Sequence, residues 1–176
     1  MKKSLLFLLS FLCTFIFTSQ DSNAQAINKL YVGLNIGATS FTKGGGDQKT
    51  DAHLGLETSY RLNNNYSIIG TAAATFDVGA TFWEGTVNAR YYFQPQSEYK
   101  FFAEGGAGVY TVKLEFFGLV AASKSYAGIN LGGGVSKNFF GEKLIMNLKV
   151  KYHNPFVSGD GKINWINTTI GASVPL

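Results

Sequence analysis

The stretch KLIMNLKVKYH, residues 143–153, alternates between two kinds of side chain. Leu144, Met146, Leu148, Val150 and Tyr152 share one face of an extended strand. Lys143, Asn147, Lys149, Lys151 and His153 share the other, with Ile145 the one exception. A period of two is what a β-strand with unlike faces produces. The fold turns on which face meets water and what covers the apolar one.

Outward from this stretch the pattern repeats. Seven further segments alternate: LYVGLNIGATSF (30–41), AHLGLETSYRL (52–62), YSIIGTAAATFD (66–77), FWEGTVNARYYF (82–93), KFFAEGGAGVYTVKL (100–114), YAGINLGGGVSKNF (126–139) and NWINTTIGASVPL (164–176). Their lengths are near the roughly 9–11 residues of a tilted membrane strand. The third alternates least, and its facing stays open. No stretch after the first two dozen residues has a helical period. The connectors RLNNNY, FQPQSEY and NFFGEK are short and carry turn formers. TKGGGDQKTD, EFFGLVAASKS and HNPFVSGDGK are longer, and VGAT is brief. Tight turns at one end and longer loops at the other predict an eight-stranded, antiparallel, up-and-down β-barrel.

Alternation alone also fits a soluble, lipocalin-like exported barrel that binds an apolar ligand inside. Three features favour the inverse, a transmembrane barrel with a polar interior. The polar face is rich in Gly, Ser, Thr and Asn, with single charges set mid-strand, as a narrow lumen needs. No helix remains to cover the apolar face, and in hydrocarbon a closed barrel needs none because its backbone is paired. Aromatic residues gather near strand ends, at Tyr31, Phe41, Tyr60, Tyr66, Phe76, Trp83, Tyr91, Phe93, Tyr152 and Trp165, where interfacial girdles sit. Leu144, Met146, Leu148 and Val150 are therefore expected to face lipid, and Lys149 and Lys151 the lumen.

The beginning of the chain reads differently. A basic Met1-Lys2-Lys3 is followed by the apolar run LLFLLSFLCTFIF (5–17) and a polar stretch with small residues at Ser22 and Ala24. That order is a secretory signal peptide, and the run is short of the roughly 20 residues a spanning helix needs. The expected division is a signal peptide over 1–24 and a barrel domain over 25–176. N-terminal sequencing of exported protein should begin at Gln25, and a retained Met1 would defeat the signal reading. Cys13 is the sole cysteine; with Leu12 before it and TFIF after it, it does not suit lipidation. The mature chain then has no disulfide and no thiolate metal site. It keeps thirteen cationic against ten acidic side chains, a net charge of +3, too small and scattered a surplus for nucleic acid. Charged residues make up 15% of the whole sequence, against roughly 25% in soluble domains.

Taken with LYVGLNIGATSF, FFAEGGAGVY, GINLGGGVS and the closing TTIGASVPL, the mature chain resembles the small eight-stranded outer-membrane β-barrels of OmpA/OmpX type, the porin-like barrels. The resemblance covers the barrel alone, with no peptidoglycan-binding domain after it. It implies the outer membrane of a Gram-negative bacterium, insertion by the barrel assembly machinery, contact with outer-membrane lipid and a monomeric state. Such barrels usually end on an aromatic residue, whereas this chain ends Val174-Pro175-Leu176.

Catalytic chemistry is sparse. His53 and His153 lie on the polar parity near the loop end and are candidate rim residues. Some barrels of this size modify lipid A with a histidine-containing site, so a lipid-modifying enzyme is the alternative reading. Ser123, Ser125 and Ser158 are nearby in loops, but no nucleophile, base and orienting group can be assigned together. EGGAGVY and GGGVS precede no helix and so are not phosphate loops. Asp47, Asp51 and Asp160 are too few for a calcium cage. No catalytic, cofactor-binding or metal-ligating residue is assigned. Glu57, Arg61, Glu84, Arg90, Glu104, Lys149 and Lys151 are expected to form a structural charge network in the lumen, since isolated buried charges are costly. A turn centred on Ser97 would make Arg90 and Glu104 neighbours. The apolar FFGLV (116–120) either grips a partner or the membrane, or merely extends its hairpin. The expected function is non-enzymatic: a structural or surface-interaction protein acting through its loops, with an extracellular partner the sequence does not name.

Overall fold

The computed structural model describes residues 29–42, 50–116, 119–140, 142–157 and 163–176. The expected signal segment, 1–24, lies outside them. Eight strands follow in order: β1 (Lys29–Thr42), β2 (Thr50–Arg61), β3 (Tyr66–Asp77), β4 (Ala80–Tyr92), β5 (Tyr99–Phe116), β6 (Leu119–Phe139), β7 (Leu144–Pro155) and β8 (Asn164–Pro175). Each pairs antiparallel with the next, and β8 returns to β1 with Val32 opposite Val174, closing the barrel. Closure leaves no sheet edge, so the backbone along the ring is paired without help from water.

The faces divide as a transmembrane barrel requires. On β7, Met146, Leu148, Val150 and Tyr152 stand outward and exposed, while Asn147, Lys149, Lys151 and His153 are buried inside. Ile145 also turns inward and is buried. The same division runs through β1, where Leu34 and Ile36 are exposed and Asn35 is 2% exposed. A soluble barrel would reverse these faces. In β3 the inner row is Ser67, Ile69, Thr71, Ala73 and Thr75, all buried. Its weak alternation follows from the apolar Ile69 inside and from alanines on both faces.

Two expectations are corrected. Tyr31 and Trp165 do not belong to an outer girdle, because both fall on the inward parity and are 1% and 3% exposed. Phe41 likewise packs inward, its ring 4.6 Å from Phe82 and 5.9 Å from Trp165. Tyr60, Tyr66, Phe76, Trp83, Tyr91, Phe93 and Tyr152 remain on the outside. The connector between the fifth and sixth segments is also not a loop through its length. β5 and β6 run to 18 and 21 residues, and Thr111 pairs with Ser125 and Leu114 with Ala122. The hairpin continues past the rim, with a register irregularity between Leu114 and Glu115.

The short connectors have local causes. Asn63 Oδ1 accepts hydrogen bonds from the backbone N–H groups of Asn65 and Tyr66, both at 2.9 Å, which turns the chain between β2 and β3. Between β3 and β4, Asp77 pairs with Ala80 across Val78 and Gly79. Gly79 adopts φ of 82°, open to glycine at no steric cost.

Candidate functional site

The candidate site is the lumen, and its residues fall into layers. At mid-height Arg90 is opposite Glu104 in the β4–β5 register, on a hairpin centred on Ser97. Arg90 Nη2 lies 2.6 Å from Glu104 Oε2 and 3.1 Å from Glu57 Oε1, so one guanidinium bridges two carboxylates. Lys151 Nζ is 2.9 Å from the other Glu104 oxygen, and Lys149 pairs with Glu57. Asn35 Nδ2 donates to Glu57 at 3.3 Å. All five charged side chains are at most 5% exposed. Charges so far from water persist only when paired and hydrogen-bonded.

The other two charges expected in this network sit apart from it. Glu84 accepts a hydrogen bond from Asn167 Nδ2 at 3.3 Å and has no lysine or arginine within ion-pair distance among the described residues. Arg61 is at the turn end, 3.0 Å from Glu142. Glu142 is absent from the sequence-derived set because it sits in the β6–β7 turn, where strand alternation assigns no facing. Its carboxylate also meets Lys29 at 3.2 Å, Lys100 at 3.8 Å and Asn138 Nδ2 at 3.0 Å. Burial pushes the Glu142 carboxyl up, but the hydrogen bonds and charges of Arg61 and Lys29 outweigh it and hold the group below the ordinary glutamate range.

Toward the loop end, the two histidines of the polar parity stand inside the lumen and not at its rim. His53 and His153 are 5% and 0% exposed on the inner face. Trp165 stacks on His153 with ring centroids 5.4 Å apart, and Tyr110 meets both rings edge-on. His53 Nδ1 pairs with Thr75 Oγ1 at 3.0 Å, and Thr75 with Thr39 at 2.8 Å. A nucleophile–histidine–acid relay needs nucleophile and acid on opposite ring nitrogens. Around His153, the Tyr110 hydroxyl and the Glu84 carboxylate both approach Nδ1, at 3.2 and 3.5 Å, while Nε2 faces Asn167 at 3.2 Å. That geometry is a hydrogen-bond web. Ser125 pairs with Thr111 at 2.8 Å on the exposed hairpin, away from both histidines, and Ser158 lies outside the described residues.

The inward glycines of β6 leave room for bulky side chains on the neighbouring strands β5 and β7. A Cβ added at Gly134 would stand 2.8 Å from the ring of Phe102, one at Gly128 would stand 2.9 Å from the ring of Tyr110, and one at Gly132 would crowd Lys151. Arg90 lies over the Phe102 ring at 4.2 Å. A cavity of about 10 Å³ remains between Asn35, His53, Thr71, Glu84, Lys149, Lys151, Asn167 and Thr169. That is room for about one water molecule.

Solved structures with this architecture include outer-membrane proteins. Neisserial surface protein A (NspA) superposes with a TM-score of 0.73 at 14% identity, covering 84% of this chain and 97% of that one. This chain has the fold of a small outer-membrane barrel. Ail, the attachment invasion locus protein of Yersinia pestis, shares that outer-membrane fold at a TM-score of 0.61 and 18% identity, over 85% of this chain and 99% of Ail. The outer membrane enzyme PagL shares it at 0.52 and 14% identity, over 83% and 99% of the two chains. No protein-family model matches the sequence, and no curated protein matches it either. One small-barrel fold therefore serves both surface proteins and an enzyme, and the function must be argued from this chain's own side chains.

Proposed function

We propose that this protein is a non-enzymatic outer-membrane barrel of a Gram-negative bacterium whose packed lumen is structural and whose outward contacts are made at the loop end. The observation that carries this reading is the bridged network of Glu57, Arg90, Glu104, Lys149 and Lys151, which spends the lumen's charges on one another. The outward apolar rows support this location, since such a surface is stable in hydrocarbon. The β5–β6 hairpin, standing above the rim, is the element best placed for a partner outside the cell. Contact with outer-membrane lipid, insertion by the barrel assembly machinery and a monomeric barrel belong to the same reading.

A lipid-modifying enzyme is the second reading, favoured by the fold shared with PagL and the presence of two histidines. Both histidines are buried on the face away from lipid, and His153 is packed against Trp165 and Tyr110, which counts against it. Fractionation and heat-modifiable gel mobility test the main reading. The protein should co-sediment with outer membranes and migrate faster unheated than boiled. Recovery in the soluble fraction, with one mobility, would overturn it in favour of a soluble barrel.

A further inference from the structure

At the turn end of the lumen three cations share one carboxylate. Lys29 from β1, Arg61 from β2 and Lys100 from β5 converge on Glu142, at 3.2, 3.0 and 3.8 Å. Three cations against one anion leave a surplus of two positive charges in a mouth where Arg61 is 7% and Lys100 13% exposed. A second observation points into the same space. The Tyr31 hydroxyl is buried beside the Glu142 carboxylate, and the Arg61 guanidinium lies 5.3 Å from the centre of its ring.

The turn that brings Glu142 here is itself strained. Phe140 and Glu142 have φ of 52° and 71°, in the left-handed region that residues with a Cβ seldom adopt. Such conformations persist where the surroundings hold them, and the holding contacts are those to Lys29, Arg61 and Asn138. Glu142 is 30% exposed, so the carboxylate can leave without unfolding a strand.

We propose that this mouth is a binding site for a dianionic phosphate group, and that the chain's own Glu142 carboxylate occupies the place of that phosphate. The Arg61 fork suits two phosphate oxygens at once, the lysines supply point charges, and the Tyr31 hydroxyl gives one further donor. A dianion balances the three cations better than one carboxylate does. The group could arrive as inorganic phosphate or on the headgroup of a phosphatidic acid in the leaflet at the turn end, and both present the same chemistry.

The full-length exported protein, folded in non-ionic detergent, is titrated with inorganic phosphate by calorimetry. In parallel it is placed in phosphatidylcholine nanodiscs with and without phosphatidic acid, and bound lipid is counted by native mass spectrometry. Glu142→Gln removes the competing carboxylate and should tighten binding by about tenfold. Lys100→Met and Arg61→Gln should weaken it by about the same factor. Glu98→Gln removes an equally charged but 68% exposed carboxylate, paired with Lys137 at the same rim, and should leave binding unchanged. Tightening in both arms, or in the phosphate arm alone or the phosphatidic acid arm alone, supports the site and identifies the source. Absence of binding in both arms overturns it. So does equal tightening by Glu142→Gln and Glu98→Gln, which would reduce the effect to net charge. If Arg61→Gln fails to show heat-modifiable mobility, Lys100→Met carries the test.

Discussion

Glu104→Gln is expected to lower the stability of the folded barrel by ~3–5 kcal/mol, the usual cost of removing one partner from a buried ion pair. Glu104 joins two halves of the network, taking Arg90 from the neighbouring β4 and Lys151 from β7, two strands away. Without its charge, Lys151 has no carboxylate within 4 Å among the described residues. Arg90 keeps only Glu57, which Lys149 already engages. The substitution preserves shape, so the loss reports charge and not a cavity. Urea titration of the refolded protein in vesicles, read by heat-modifiable mobility, measures it. Adding Lys151→Met should restore part of the loss, because the stranded ammonium is then gone and an unbranched apolar chain fills its place. A Glu104→Gln barrel within about 0.5 kcal/mol of the parent, the range of ordinary surface changes, would mean the network contributes nothing.

That experiment also marks how far the sequence could be read. Arg90 and Glu104 are legible as neighbours because a hairpin about Ser97 fixes both register and facing within one short stretch. Glu57 and Arg90 are not legible as partners. They stand on β2 and β4, two strands apart, and meet only once the β2–β3 and β3–β4 registers are both fixed and the sheet has curled, which a period of two does not specify. Lys149 and Lys151 are readable as inward, but Lys149 reaches Glu57 only across the β8–β1 seam, and the stagger of that closure is not written in the alternation. The girdle misreading at Tyr31 and Trp165 has a related cause. A strand-end aromatic serves an interface or a lumen according to its parity, and its nearness to the strand end says nothing of which. Glu142 escapes pattern reading altogether, since a turn residue has no alternating neighbours to betray its direction. The full burial of His153 is likewise hidden, because what covers it comes from Tyr110 and Trp165 on other strands.

In planar bilayers the purified protein is expected to show no large conductance steps. Eight strands enclose an interior that side chains just fill, whereas broad aqueous channels need 16–18. Glycine on the inner faces of β5 and β6 is the one sequence feature that argues for an open path, because it removes side chains from a narrow lumen. On β6 the structure shows that space filled. The space over Gly134 is taken by Phe102, that over Gly128 by Tyr110 and that beside Gly132 by Lys151. An ion moving along the axis would meet three closures in turn. Glu142 and its cations stand at the turn end, and the bridged carboxylates and Arg90 lie at mid-height. Trp165, Tyr110, Phe41 and Phe82 pack together toward the loops. Between the last two lies a cavity of about 10 Å³, about one water molecule and far short of a hydrated ion. Opening all three at once would break buried ion pairs whose separate loss is already costly. Reproducible large steps from a sample shown to be folded by heat-modifiable mobility would sink the filled-lumen account, and would require either a wider barrel or an oligomeric pore. A silent, folded barrel leaves the β5–β6 hairpin and its neighbouring loops as the parts free to act on anything outside.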